Sequence, residues 1–216
     1  MVKKERAAKI IAALEELYPE AECALEYKGE PWKLLVMGIL SAQCTDKRVN
    51  IVCEDMFTEI DTQEKMAQAP VELIERYVKP CGLYKTKAKN ISACAKKLVN
   101  EFGGVLPDDM DTLLTFPGVG RKIANLLLGD IFKKPAIVTD THCIRLAGRM
   151  GLTPKDEKNP LKVEKELVKI IPPEKQSDFC HRMVFFGREY CSARSPKCEE
   201  CPLKTLCKKA GADPQR

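Results

Sequence analysis

Residues 113–132 read LLTFPGVGRKIANLLLGDIF. An apolar segment runs into Phe116-Pro117-Gly118-Val119-Gly120, and a second apolar run begins just after Arg121-Lys122. Pro and Gly so placed predict a tight turn, and the flanking runs predict a helix–turn–helix hairpin over about 109–132. Arg121 and Lys122 then stand in the first turn of the second helix. The macrodipole favours anions there, so a purely structural lysine is out of place. Gly118 and Gly120 carry no Cβ, which lets the backbone N–H groups around Val119 approach a ligand closely. Those donors lie at a helix N-terminus, so the turn fits one phosphate of a nucleic-acid backbone. A plain hairpin would use the same glycines; the adjoining Arg-Lys pair favours the anion site.

Outward from this hairpin the period stays helical. Ile10, Ala13, Leu14 and Leu17 share one face of a first helix. PWKLLVMGILSAQ, residues 31–43, reads as a buried helix opened by Pro31. DKRVNIVCEDMFTEI, residues 46–60, follows with Thr45 as its cap. Shorter helices are expected near 63–68 and 70–78, and an amphipathic one over 85–103 ends at Gly103-Gly104. Others are expected near 109–115, 120–132, 141–151, 160–171 and 176–189. No alternating strand pair is present, so the class is all-α. Two lobes are expected: 24–133 as one run of short helices, and 1–23 with 134–216 as a lobe built from both ends.

The chain has 216 residues, is 44% hydrophobic and carries a net charge of +5. The length allows a real core, and the mild basicity is compatible with a polyanionic partner. The start, MVKKERAAKIIAALEELYP, lacks the apolar core of a secretory signal. No apolar run approaches the ~18 residues of a membrane span. The expected location is the cytoplasm, at the nucleoid in a prokaryote.

Of eleven cysteines, Cys23, Cys44, Cys53, Cys81, Cys94, Cys143 and Cys180 are scattered and read as small core residues. The odd total in a reducing compartment argues against a disulfide framework. The other four form C-x6-C-x2-C-x5-C at Cys191, Cys198, Cys201 and Cys207. Four thiolates so close in sequence predict a metal centre, and spacing alone leaves structural zinc and a [4Fe–4S] cube both open. Arg194 and Lys197 in the first loop, with Lys204, Lys208 and Lys209 nearby, read as a basic loop aimed at phosphates. Within VTDTHCIR, residues 138–145, Thr139, Asp140 or Thr141 is a helix cap. A helix N-terminus favours a charged carboxylate, so Asp140 is suited to be cap and catalyst together. His142 reads as a hydrogen-bonded first-turn residue and not as a metal ligand.

Taken together, these segments resemble the endonuclease III family, base-excision DNA glycosylases with AP lyase activity. LSAQCTDKRVN (40–50), GLYKTKAKNI (82–91), FPGVGRKIAN (116–125), VTDTHCIR (138–145) and the cysteine tail fall in that family's order over nearly the whole chain. The resemblance implies a [4Fe–4S] cluster held by Cys191, Cys198, Cys201 and Cys207. It implies a two-lobed fold, a six-helix barrel lobe beside a cluster lobe, with DNA crossing the cleft. The partner it implies is double-stranded DNA with a damaged base or an abasic site, bound by a monomer. Lys122 matches the family's nucleophilic lysine and Asp140 its essential aspartate. Gln43 and Leu83 match side chains inserted where a base has been extruded; read without the family, they are a helix-end amide and a core leucine. Lys85, His142, Arg194 and Lys197 join Gly118, Val119, Gly120 and Arg121 as expected DNA contacts. The chain departs from the common pattern at Phe116, Ile123, Lys85 and Phe186, where Leu, Thr, Asn and His are usual.

The implied chemistry is excision of an oxidised pyrimidine. A base must leave the stack before a side chain reaches C1′. Lys122 must attack as a neutral amine, and desolvation, the helix field and Arg121 all disfavour its proton. The alternatives are a monofunctional mismatch or adenine glycosylase, a non-catalytic hairpin DNA-binding protein, and an iron–sulfur electron carrier. The first generally lacks a lysine at the place of Lys122. The second has no need of Lys122 and Asp140 together, and the third does not explain the hairpin.

Overall fold

The computed structural model describes residues 2–208, and these contain helices and no strand. In chain order the α-helices are α1 (Lys3–Leu17), α2 (Pro31–Leu40), α3 (Asp46–Glu59), α4 (Gln63–Gln68), α5 (Val71–Val78), α6 (Tyr84–Phe102), α7 (Met110–Leu113), α8 (Arg121–Asp130), α9 (Thr141–Met150), α10 (Pro160–Val168) and α11 (Gln176–Glu189). Short 3₁₀ turns occupy Lys79–Cys81 and Pro173–Lys175. The chain divides into two compact units. One is Cys23–Lys133; the other joins the stretch up to Glu22 to the stretch from Lys134 onward.

In the unit Cys23–Lys133, α2 is the innermost helix. Trp32, Leu34, Leu35, Val36, Met37, Ile39 and Leu40 are all buried, so the helix is apolar on nearly every side. Helices α3, α6 and α8 pack on it, and α4 and α5 pack on α6. Gly38 lets α8 come close: a Cβ there would stand 3.0 Å from Ile123 Cγ2. The unusual Ile123 is therefore a packing residue between α2 and α8.

Helix α2 stops earlier than the sequence pattern predicts. Ser41 is its C-cap, with its hydroxyl donating to Gly38 O at 2.8 Å, and Gln43 turns left-handed at φ 52. A left-handed residue cannot continue the helix, so Gln43 lies in a turn. Thr45 caps α3 as expected, accepting from Arg48 N at 3.3 Å. Helix α6 ends at left-handed Gly103. Helix α7 is a single turn, capped by Asp109 through Thr112 N at 2.8 Å.

In the other unit α11 packs against α9 and α1. Phe179, Met183 and Phe186 are buried along α11, and Phe186 stacks on Tyr190 at 5.4 Å between ring centroids. Two contacts tie α1 and its end to α11 and the preceding turn: Arg182 Nε donates to Tyr18 O at 3.1 Å, and Lys175 pairs with Glu15 at 2.9 Å. The buried face of α1 is Ala7, Ile10, Ile11 and Leu14, while Ala13 and Leu17 are half-buried. The face is thus rotated from the expected one, because Ala7 and Ile11 take the inward positions.

Five of the seven scattered cysteines are buried, whereas Cys23 and Cys44 are only half-buried. Both exceptions lie in irregular segments between helices, where no helical face carries them into the core. Lys209, read with the basic loop, lies outside the described residues, as does the stretch after it.

Candidate active site and cluster centre

The hairpin joins α7 to α8. Phe116 is buried against Phe102 at 5.2 Å between ring centroids, and it anchors the turn. Val119 N donates to Phe116 O at 3.0 Å. Gly118 is left-handed at φ 80, and a Cβ there would stand 2.9 Å from Asn90 Cβ on α6. Only glycine meets both conditions without strain. Gly120 is the N-cap of α8, extended, and no side chain caps the helix. Such a terminus offers its first-turn N–H groups and dipole to an outside anion. Arg121 and Lys122 are both exposed in that first turn. Burial therefore does not desolvate Lys122 in the free protein.

In the same unit Gln43 and Leu83 form a matched pair. Gln43 has φ 52 and Leu83 φ 50, both left-handed non-glycine residues, and both are exposed. Leu83 is 59% exposed at the N-terminus of α6, so it is not the core leucine a family-free reading would make it. Strained backbone concentrates where a side chain must be presented. Lys85 is exposed two positions further on. Sequence reasoning missed two residues behind these features, Lys87 and Asn90. Both lie on α6, three residues apart and hence on one face. Asn90 stands behind Gly118, and buried Lys87 donates from Nζ to Leu40 O at 2.9 Å and Cys81 O at 2.8 Å. The i, i+3 spacing in KTKAKN was the available signal.

In the second unit Asp140 is the cap of α9, and its Oδ1 accepts from Cys143 N at 2.7 Å. His142 follows in the first turn. Its Nδ1 lies 3.1 Å from Arg145 NH2, and a Cβ on Gly187 would stand 2.5 Å from that nitrogen. Arg145 also donates from Nε and NH2 to Cys191 O at 3.2 and 3.1 Å. Arg149 donates to Ser192 O at 2.7 Å, to Ala193 O at 2.9 Å and to Cys191 Sγ at 3.3 Å. Two guanidiniums on α9 thus hold the loop that enters the cysteine segment. Arg194 and Lys197 are exposed on it.

The four clustered cysteines form no disulfide, and each is half-buried. Burial raises the Cys201 thiol, with Cys191, Cys207 and Cys198 adding to the shift through their charge. Among the described residues no three His, Cys, Asp or Glu side chains close up as ligands of a single ion. An all-thiolate set of four is the donor chemistry that a four-iron cube takes. The guanidinium at Cys191 Sγ suits a cluster of net negative charge. The residues present fit a [4Fe–4S] cluster.

Fold and site together define a helix-hairpin-helix protein of base excision DNA repair. The profile of the HhH-GPD superfamily of base excision DNA repair proteins matches residues 36–173, and that of the iron-sulfur binding domain of endonuclease III matches residues 191–207. Endonuclease III of Synechocystis is 43% identical over 97% of this chain and 95% of its own length. Endonuclease III of Escherichia coli is 35% identical over 95% of this chain and 96% of its own. The solved structure of an endonuclease III–DNA trapped covalent intermediate is 40% identical, with a TM-score of 0.91 over 97% of this chain and 98% of that one. A thermostable thymine-DNA glycosylase, 22% identical with a TM-score of 0.85 over 94% of this chain and 96% of that one, shares the fold. The chain belongs to the endonuclease III family: it is a DNA glycosylase and AP lyase that carries a [4Fe–4S] cluster. No helix among the described residues is long and apolar enough to cross a membrane.

Proposed function

We propose that this chain removes oxidised, ring-saturated or fragmented pyrimidines from double-stranded DNA and nicks the abasic strand, with Lys122 as nucleophile. The observation that carries the reading is an exposed lysine in the first turn of a helix that no side chain caps, next to a left-handed glycine turn. The turn Gly118–Arg121 grips a backbone phosphate and brings the sugar to Lys122. Gln43 and Leu83 fill the space left by the extruded base. Lys85, His142, Arg194 and Lys197 contact the strands. The neutral amine of Lys122 attacks C1′, the base departs, and the opened sugar forms a Schiff base with Nζ. β-Elimination then breaks the C3′–O bond, and hydrolysis frees the lysine. Asp140 accepts a proton or stabilises positive charge on the sugar. Lys122 is exposed in the free protein and so open to the sugar.

Cys191, Cys198, Cys201 and Cys207 hold the cluster. Its contribution is structural: it orders the 191–207 segment and so the basic loop. The protein acts as a monomer in the cytoplasm, at the nucleoid in a prokaryote.

Borohydride trapping on abasic-site DNA tests the assignment. The wild-type protein gives a covalent adduct, and Lys122→Ala gives none while its DNA affinity stays within a few-fold. A wild-type protein that forms no adduct, or a Lys122→Ala protein that still forms one, sinks the role of Lys122.

A further inference from the structure

Lys87 takes no part in the chemistry above, yet among the described residues it is the only buried lysine, 3% exposed. Lysine is almost never fully buried unless paired. Burial lowers its pKa, against an opposing pull from Cys44 and Cys81. Its partners are two main-chain carbonyls, Leu40 O and Cys81 O. Leu40 ends α2, and Cys81 ends the 3₁₀ turn Lys79–Cys81. Terminal carbonyls of this kind lack intrahelical donors and attract a cation.

Each carbonyl stands just ahead of an unusual residue. Three residues after Leu40 is Gln43, and two residues after Cys81 is Leu83, both left-handed and exposed, as Lys28 and Lys133 also are. Main-chain Lys87 N also donates to Leu83 O at 3.0 Å. One residue therefore ties down both segments, by its ammonium and by its own amide. No sequence-local bond joins these segments, which lie far apart in the chain. We infer that Lys87 is a positioning residue for lesion extrusion: its ammonium fixes the segments ending in Gln43 and Leu83 to each other, so that the two side chains enter the duplex at a set separation. The inference rests on Gln43 and Leu83 being the side chains that fill the vacated space.

The cluster-loaded protein carrying Lys87→Met tests this. Met keeps the length of the side chain and removes the donors. Three measurements decide: amide hydrogen exchange at 41–45 and 81–84, affinity for duplex with a tetrahydrofuran abasic analogue against undamaged duplex, and fluorescence of a 2-aminopurine opposite the analogue. Exchange quickens in both segments together and not in α8. Affinity for the analogue falls about tenfold, the scale of a lost charged hydrogen bond, and the fluorescence rise shrinks. Affinity for undamaged duplex holds, because the hairpin supplies it. In a Gln43→Ala/Leu83→Ala background, Lys87→Met costs little more. If Lys87→Met does not fold, Lys87→Gln, which keeps one donor group, carries the same measurements and lies between wild type and the full loss. Wild-type exchange in the two segments overturns the inference, as does an equal loss on damaged and undamaged duplex or an additive loss in the triple variant. If Gln43→Ala and Leu83→Ala bind the analogue like wild type, the space-filling reading fails and takes this inference with it. If they are impaired while Lys87→Met is not, only the inference about Lys87 fails.

Discussion

Asp140 has one carboxylate oxygen committed to structure, since Oδ1 accepts from Cys143 N at 2.7 Å and opens α9. Asparagine caps about as well as aspartate, and alanine costs about 1 kcal/mol. Asp140→Asn is therefore expected to keep the melting temperature and the cluster while losing glycosylase turnover, and Asp140→Ala to lose both turnover and about that much stability. Thermal melts beside single-turnover rates separate the two, and an active Asp140→Asn would leave Asp140 as a cap only. The hairpin glycines offer a second contrast. Gly118→Ala places a methyl 2.9 Å from Asn90 Cβ on a left-handed backbone, so a loss of about 1–3 kcal/mol is expected. Gly120 is extended with open space around it. Gly120→Ala should cost no more than about 1 kcal/mol, the loss of a preferred N-cap residue, and yet weaken DNA binding by crowding the phosphate. Denaturant titrations and binding isotherms of both variants check this. The turn was legible in the sequence as glycine chemistry; which glycine is irreplaceable was not, because the deciding atom belongs to α6.

Helix α9 connects the aspartate to the cluster segment. Arg145 lies in its second turn and Arg149 in its last, and they hold Cys191 O, Ser192 O, Ala193 O and Cys191 Sγ. Arg149→Met removes three donated bonds from the loop that opens the cysteine segment. Faster bleaching of the visible cluster absorption under chelator or air is expected, with the far-ultraviolet helical signal retained. Bleaching at the wild-type rate would show that the loop holds itself. The pattern C-x6-C-x2-C-x5-C announced a metal centre but left zinc and iron open, since spacing says nothing about how far apart folded sulfurs stand. In α2, periodicity ran on to Gln43, while the folded helix ends at Leu40. Apolar period cannot register a left-handed residue, and that turn depends on Lys87, forty-odd positions downstream, reaching Leu40 O.

Across the whole molecule, buried thiols make stability depend on pH. Burial raises the Cys94 thiol to about 12 and raises Cys53 as well. In the unfolded chain such thiols ionise from about pH 8.5. Their contribution is therefore complete below about pH 8.5 and is lost as pH rises toward the folded values, because the unfolded state releases its protons first. Each thiol accounts for up to about 1.4 kcal/mol per pH unit in that window. Denaturant unfolding under reductant between about pH 8 and 10 should show falling stability, with a shallower slope in Cys94→Ala; an unchanged slope would assign the loss to other groups. Binding to undamaged duplex should weaken with salt, as phosphate contacts release counterions, and salt-independent affinity would remove the phosphate grip from the hairpin. Local chemistry along the chain was enough for the all-helical class, the cap at Thr45, a cap among Thr139, Asp140 and Thr141, the glycine hairpin with its misplaced lysine, and four thiols for one metal centre. Each depends on residues within a few positions of one another. Tertiary structure alone decided that Gln43 and Leu83 are strained, exposed and tied together through buried Lys87, that Asn90 backs Gly118, and that two arginines of α9 hold the cluster loop. These depend on atoms tens of residues apart, whose meeting follows from how the helices pack.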